Sequence, residues 1–179
     1  MEIEYLIFRW ISEKMDGIRA FWNGITLISR NGTEIKSPNW FIEQLPKDIS
    51  LDCELWGGRG TFETLIGRLN SSDIVGWERI HLMVFDLPNS GEPYEMRMRN
   101  LSNQILPNHV QIVNVDRCKS SEDIGKYLAI IVDLGGEGMM ANKANSMYNP
   151  MRVESLLKVK VSIISQILSL DLFAKHSYL

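Results

Sequence analysis

The run Glu13-Lys14-Met15-Asp16-Gly17-Ile18-Arg19 places a lysine, two acids, a glycine and an arginine within one short segment. A lysine amine is a poor nucleophile at neutral pH because the ammonium form dominates. A nearby cation, a bound metal or partial burial frees it to attack. Glycine lets a backbone approach a ligand closely, and arginine offers a planar fork that suits phosphate. Taken alone, K-x-D-G-x-R points to a reactive loop, with a solvated hairpin end as the lesser alternative.

Four more short segments follow in order: Leu51-Asp52-Cys53-Glu54-Leu55-Trp56, Val84-Phe85-Asp86, Glu137-Gly138-Met139-Met140 and Leu156-Leu157-Lys158-Val159-Lys160. Each is weakly specific by itself. Five in this order, with a nucleophile at the head, make a specific signal. The series resembles the ATP-dependent DNA ligases of the covalent nucleotidyltransferase superfamily, over roughly residues 11–160. RNA ligases and guanylyltransferases of the mRNA-capping type share this chemistry and are the nearest alternatives. A non-catalytic nucleotide-binding remnant is an alternative of a different class.

The resemblance implies that Lys14 attacks the α-phosphate of ATP, expels pyrophosphate and becomes a lysyl-AMP phosphoramidate. Glu13 and Arg19 then belong to the nucleotide site, with Asp16 and Gly17 shaping the loop. Arg30, in Ser29-Arg30-Asn31-Gly32, is expected at phosphate, although a solvated hairpin charge is an equal reading. By the same resemblance Glu54 binds the ribose or assists a metal, Phe85 stacks on the purine, and Glu137 is a metal-site acid. Lys158 and Lys160 bind the reacting phosphate. The implied cofactors are ATP and Mg²⁺, an ion that takes one or two carboxylates together with phosphate oxygens and waters. The implied partner is nucleic acid, most simply nicked DNA. One position departs from the usual glycine of the second segment, where Cys53 stands.

Strand geometry bears on several of these residues independently of any resemblance. Asp52 and Glu54 alternate along one run and share a face, as do Lys158 and Lys160 along another. Two like charges side by side on a sheet are costly unless a cation lies near them. Phe85 reads equally as plain core. Gly57-Gly58-Arg59-Gly60 lacks the Lys-Ser/Thr ending of a phosphate loop and reads as a flexible turn. His81, His109 and His176 show no spacing that suggests a triad or a zinc site.

The elements that must position these groups can be read coarsely. Tyr5 to Ser12 reads as a strand feeding the lysine loop, with Arg19 to Trp22 as its hairpin partner. Asn23-Gly24 and Asn31-Gly32 are hairpin turns around 25–30, so the opening reads as an antiparallel meander. Strands are expected over 51–56, 80–87, 110–115, 138–141 and 156–161, and helices over 61–69 and 94–106. A further helix capped by Ser120 and Asp123 ends at Gly135-Gly136. Strands dominate, so the class is α+β with two mainly antiparallel sheets. The resemblance implies the matching fold, with flanking helices enclosing a nucleotide cleft.

With 179 residues and 45% hydrophobic content, the chain suits one ordinary globular domain with a sizeable core. The net charge of −3 supplies no global basic field for nucleic acid. Cys53 and Cys118, in unrelated contexts, read as reduced thiols of an intracellular protein, nuclear or cytoplasmic. No secretion signal is evident. The apolar stretch 161–174 is too short and too interrupted by polar residues to span a bilayer. The expected organisation is an adenylation domain over 1–160 and an apolar tail over 161–179. Nineteen residues follow Lys160, too few for the OB-fold domain that ligases of this kind carry, which needs about five strands. A separate domain or protein replacing that barrel is therefore a further expected partner. So is poor sealing of nicks by this chain alone.

Overall fold

The computed structural model describes residues 6–70, 76–151 and 153–160. In chain order its elements are β1 (Arg9–Glu13), β2 (Ile18–Trp22), β3 (Leu27–Ser29), α1 (Asn39–Ile42), β4 (Leu51–Trp56) and α2 (Phe62–Asn70). A 3₁₀ turn at Trp77–Arg79 leads into β5 (His81–Asp86). Then come α3 (Tyr94–Ser102), β6 (Val110–Ile112), β7 (Asp116–Arg117), α4 (Ser121–Asp133), β8 (Gly138–Lys143) and β9 (Leu156–Lys160). The stretch expected as an apolar tail, 161–179, lies outside the described residues, as does His176.

Two sheets form. The first has the order β7-β1-β8-β9 and the second β3-β2-β4-β5-β6. Every pairing is antiparallel except β5 with β6. The class is α+β, as the strand-rich pattern predicts.

Each sheet has its own core, and strand alternation explains which residues enter it. On β4, Leu51, Cys53 and Leu55 are fully buried with Trp22, Phe41, Leu82 and Trp77. Cys53 thus turns into the core, and its departure from glycine leaves the opposite face untouched. On the first sheet Ile11, Met139, Ala141 and Val159 pack with Ile124, Leu128 and Ile131 of α4. Ser120 caps that helix: its Oγ accepts from the Asp123 N–H while Asp123 accepts from the Ser120 N–H. Such a cap contributes about 1 kcal/mol. With odd-numbered positions of β4 in the core, the even ones, Asp52 and Glu54, face the space between the sheets.

The opening of the chain corrects one expectation. The turn at Asn23–Thr26 joins β2 to β3 as read, but β1 does not pair with β2. It lies between β7 and β8, with Ile11 opposite Ala141. The Lys14 segment is therefore a crossover from one sheet to the other rather than a hairpin end. Ile11 decides this, because its buried place is in the core made by α4 and not in the core under β2. The strand also starts later than expected, since Phe8 adopts φ 66° before β1 begins. The short α1 and β7 are not evident from the sequence pattern.

Candidate active site

Between the sheets lies a cavity of about 530 Å³, within the usual size range of small-molecule sites. Residues from distant parts of the chain line it: Lys14 and Arg19 around the crossover, Arg30 after β3, Glu54 on β4, Phe85 on β5 and Lys158 on β9. Glu13 lines it too. Glu137 and Lys160 stand beside it, joined to the lysine by charge. Lys14 Nζ donates to Glu137 Oε2, and Lys160 Nζ lies 3.5 Å from Glu137 Oε1.

The crossover is fixed at both ends. The Lys14 N–H donates to the Gly138 carbonyl at 2.8 Å, tying the lysine to the start of β8. At the other end Gly17 rests against β4, where a Cβ would stand 2.3 Å from the Leu55 carbonyl oxygen and 2.8 Å from Glu54 Cγ. Only glycine fits this approach. That contact holds Lys14 and Glu54 in one site.

Three ion pairs organise the walls. Arg19 closes its fork on Asp52, Nε to Oδ1 at 2.9 Å and Nη2 to Oδ2 at 2.5 Å, with its guanidinium 5.8 Å from the Phe85 ring centroid. Arg97 closes on Asp86 at 2.5 and 3.0 Å in a buried pair directly after Phe85. Arg59 closes on Glu13 at 2.8 and 2.6 Å. The glycine-rich turn 57–60 is thereby anchored and is not a free loop. Both carboxylate oxygens of Glu13 accept from Arg59, so this side chain ties the turn to the end of β1. Arg97, Tyr148 and Arg59 are the site residues that the sequence pattern does not single out. For Asp52 a signal existed, since it shares a strand face with Glu54.

A family model described as the ATP dependent DNA ligase domain matches residues 7–160. The chain belongs to this family. Its ligase domain is 31% identical over 157 residues to a DNA ligase of Haemophilus influenzae, covering 86% of this chain and 58% of the relative. A solved Lig E DNA ligase, studied for DNA binding with a minimal scaffold, matches at TM-score 0.80 and 32% identity, over 87% of this chain and 62% of that one. The Chlorella virus DNA ligase–adenylate shares the fold at TM-score 0.74 and 21% identity, over 89% of this chain and 63% of that one. The chain thus spans about three-fifths of the length of these relatives.

Electrostatics in this ligase domain separate its two candidate metal-site acids. Burial pushes the Glu54 carboxyl up to about 7, against the opposing pull of Lys14, the Gly17 N–H and Arg19. Burial also raises Glu137, but Lys14 and Lys160 together outweigh it and hold that carboxyl below its ordinary value. Burial lowers Lys158, and repulsion from Lys14, Arg19 and Arg30 lowers it further. A cleft lined by this many cations is suited to an anion. Among the described residues no three His, Cys, Asp or Glu side chains converge as a metal cage. Two carboxylates beside a cavity lined by cations nonetheless fit the donor set of Mg²⁺, which takes one or two carboxylates together with phosphate oxygens and waters. No helix among the described residues is long and apolar enough to cross a membrane.

Proposed function

We propose that this chain is the adenylation domain, over residues 1–160, of an ATP-dependent DNA ligase. In this reading Lys14 Nζ attacks the α-phosphorus of ATP. The N–P bond forms, the bond to the bridging oxygen breaks, pyrophosphate departs, and Nζ gives up a proton. The lysyl-AMP then passes its adenylate to the end of a nicked nucleic-acid strand. One observation carries this reading: the motif lysine opens onto a cavity walled by an aromatic ring and by cations drawn from four distant segments.

Phe85 offers its ring to the purine, and Arg19, Arg30 and Lys158 receive the phosphates. Their charge opposes the negative charge that builds on the reacting phosphoryl group. Lys160 contributes at longer range by holding Glu137. Before attack the Lys14 ammonium must leave Glu137 and lose a proton. Mg²⁺ would be held by Glu137 and Glu54 and, when bound, would neutralise phosphate charge. A separate domain or protein completing the grip on the duplex is part of the same proposal.

The test is to incubate the purified chain with α-labelled ATP or GTP and Mg²⁺ and to look for an acid-stable, covalently labelled band. Label from ATP and not from GTP is expected, and Lys14→Ala should abolish it while the fold survives. Persistent labelling of a folded Lys14→Ala chain would falsify the assignment of the nucleophile.

A further inference from the structure

Residues 144–149 leave β8, which lies in the first sheet, and cross the cavity to reach the second. This strap is pinned at three points, the first where the Ala144 carbonyl accepts from the Glu95 N–H at 3.0 Å. The Ser146 carbonyl accepts from the Tyr94 N–H at 2.9 Å and from Arg97 Nη1 at 2.8 Å, and Arg97 is itself held by Asp86. Two residues later Tyr148 Oη donates to Asp52 Oδ2 at 2.8 Å. Asp52 is only 2% exposed, and its carboxylate accepts from Arg19 Nε, Arg19 Nη2 and the Tyr148 hydroxyl. With three donors on a buried carboxylate, Asp52 has little capacity left for a metal or a substrate. Its work is directed at Arg19.

We propose that Tyr148 is a positioning residue for nucleotide binding, acting through Asp52 to hold the Arg19 guanidinium against Phe85 in the cavity wall. The inference rests on the reading of this cavity as a nucleotide site. A two-point fork fixes arginine relative to a carboxylate but leaves the carboxylate free to turn about its own side-chain bond. A third donor, arriving from the strap, removes that freedom and so sets the guanidinium plane. The phenol is suited to the task, because burial and the Asp52 charge keep its proton on at neutral pH. Arg97 flanks the Tyr148 ring, 5.8 Å from its centroid, so the buried Asp86 pair steadies the phenol as well as Ser146. Strap and strand are thereby joined where Arg19 enters the cavity.

Tyr148→Phe removes only the hydroxyl, and both Asp52 oxygens keep an Arg19 donor, so the variant should fold. Two measurements test it. The first is calorimetric titration of ATP with Mg²⁺ into the unreactive Lys14→Ala chain, with and without Tyr148→Phe. The second is the initial rate of self-adenylation in the otherwise unaltered chain. The expected result is a Kd raised about fivefold, the size of one hydrogen bond to a charged group partly relayed. KM should rise in step, with kcat within about twofold. In a double-mutant cycle Tyr148→Phe should add nothing to Asp52→Asn, or to Arg19→Lys should the asparagine variant not fold. An unchanged Kd, a fall in kcat at constant KM, or full additivity in the cycle overturns the role of Tyr148 and leaves the nucleotide site standing. Failure of the parent chain to bind ATP at all overturns both.

Discussion

At the scale of single residues, the site is a set of charges whose partners determine what each can do. Glu54 is the clearest case. Its carboxyl ordinarily titrates near 4.5, and burial moves it to about 7. Between those values the folded state holds a proton that the unfolded chain has released, so this group lowers stability as pH rises through the window and has its full cost above 7. Glu54→Gln should therefore gain stability relative to the parent between pH 5 and pH 8, measured by urea unfolding at each pH. A flat difference across that range contradicts the shift. Arg97 works in the opposite sense, as the only cation paired with the buried Asp86 carboxylate among the described residues. Replacing it with methionine strands that charge and should cost about 3–5 kcal/mol, and Asp86→Asn in the same chain should restore a large part. Chemical denaturation of the single and double variants decides between this and a pair that contributes nothing.

At the scale of elements, the geometry of the candidate site is set where backbone meets backbone. The crossover from β1 to β2 passes so close to β4 that Gly17 has no room for a methyl group against the Leu55 carbonyl. Gly17→Ala should lower stability by about 1–3 kcal/mol through forced displacement of that crossover. It should also reduce self-adenylation more than the loss of folded protein explains, because Lys14 and Glu54 move apart. Comparing labelling per folded molecule, from circular dichroism on the same sample, separates the two effects. A similar squeeze occurs at Gly138, where a Cβ would lie 2.1 Å from the Val159 carbonyl, at the β8–β9 pairing that aligns Lys160 beside Glu137.

At the scale of the whole molecule, the distribution of charge bears on the duplex. The chain carries a net charge of −3, and many of its cations already have partners. Arg19, Arg59 and Arg97 are closed on carboxylates, Lys14 and Lys160 share Glu137, and Arg117 and Lys126 pair with Glu95 and Glu122. Affinity for duplex DNA comes largely from neutralised phosphates, each steepening the salt dependence. This 179-residue chain should accordingly bind nicked DNA weakly, with a log–log salt slope no steeper than about −3. It should join a pre-adenylated nick poorly at physiological salt. A pre-adenylated nick isolates the final step, so robust joining there would show that the domain grips DNA unaided.

What the sequence determined by itself was local. Alternation placed Asp52 with Glu54, and Lys158 with Lys160, on shared faces. Ser120 and Asp123 announced their helix, and the ordered motifs around Lys14 announced the family. These signals were legible because side-chain direction, capping and turn chemistry depend on neighbours a few residues away. Tertiary structure alone decided that β1 joins β8 rather than β2, that Arg59 answers Glu13, and that Tyr148 reaches Asp52. The latter two join side chains 46 and 96 residues apart. No local pattern distinguishes one arginine or tyrosine from another at such separation. Their partners are chosen by how two independent cores bring the sheets together, and the cavity lies where those cores leave a gap.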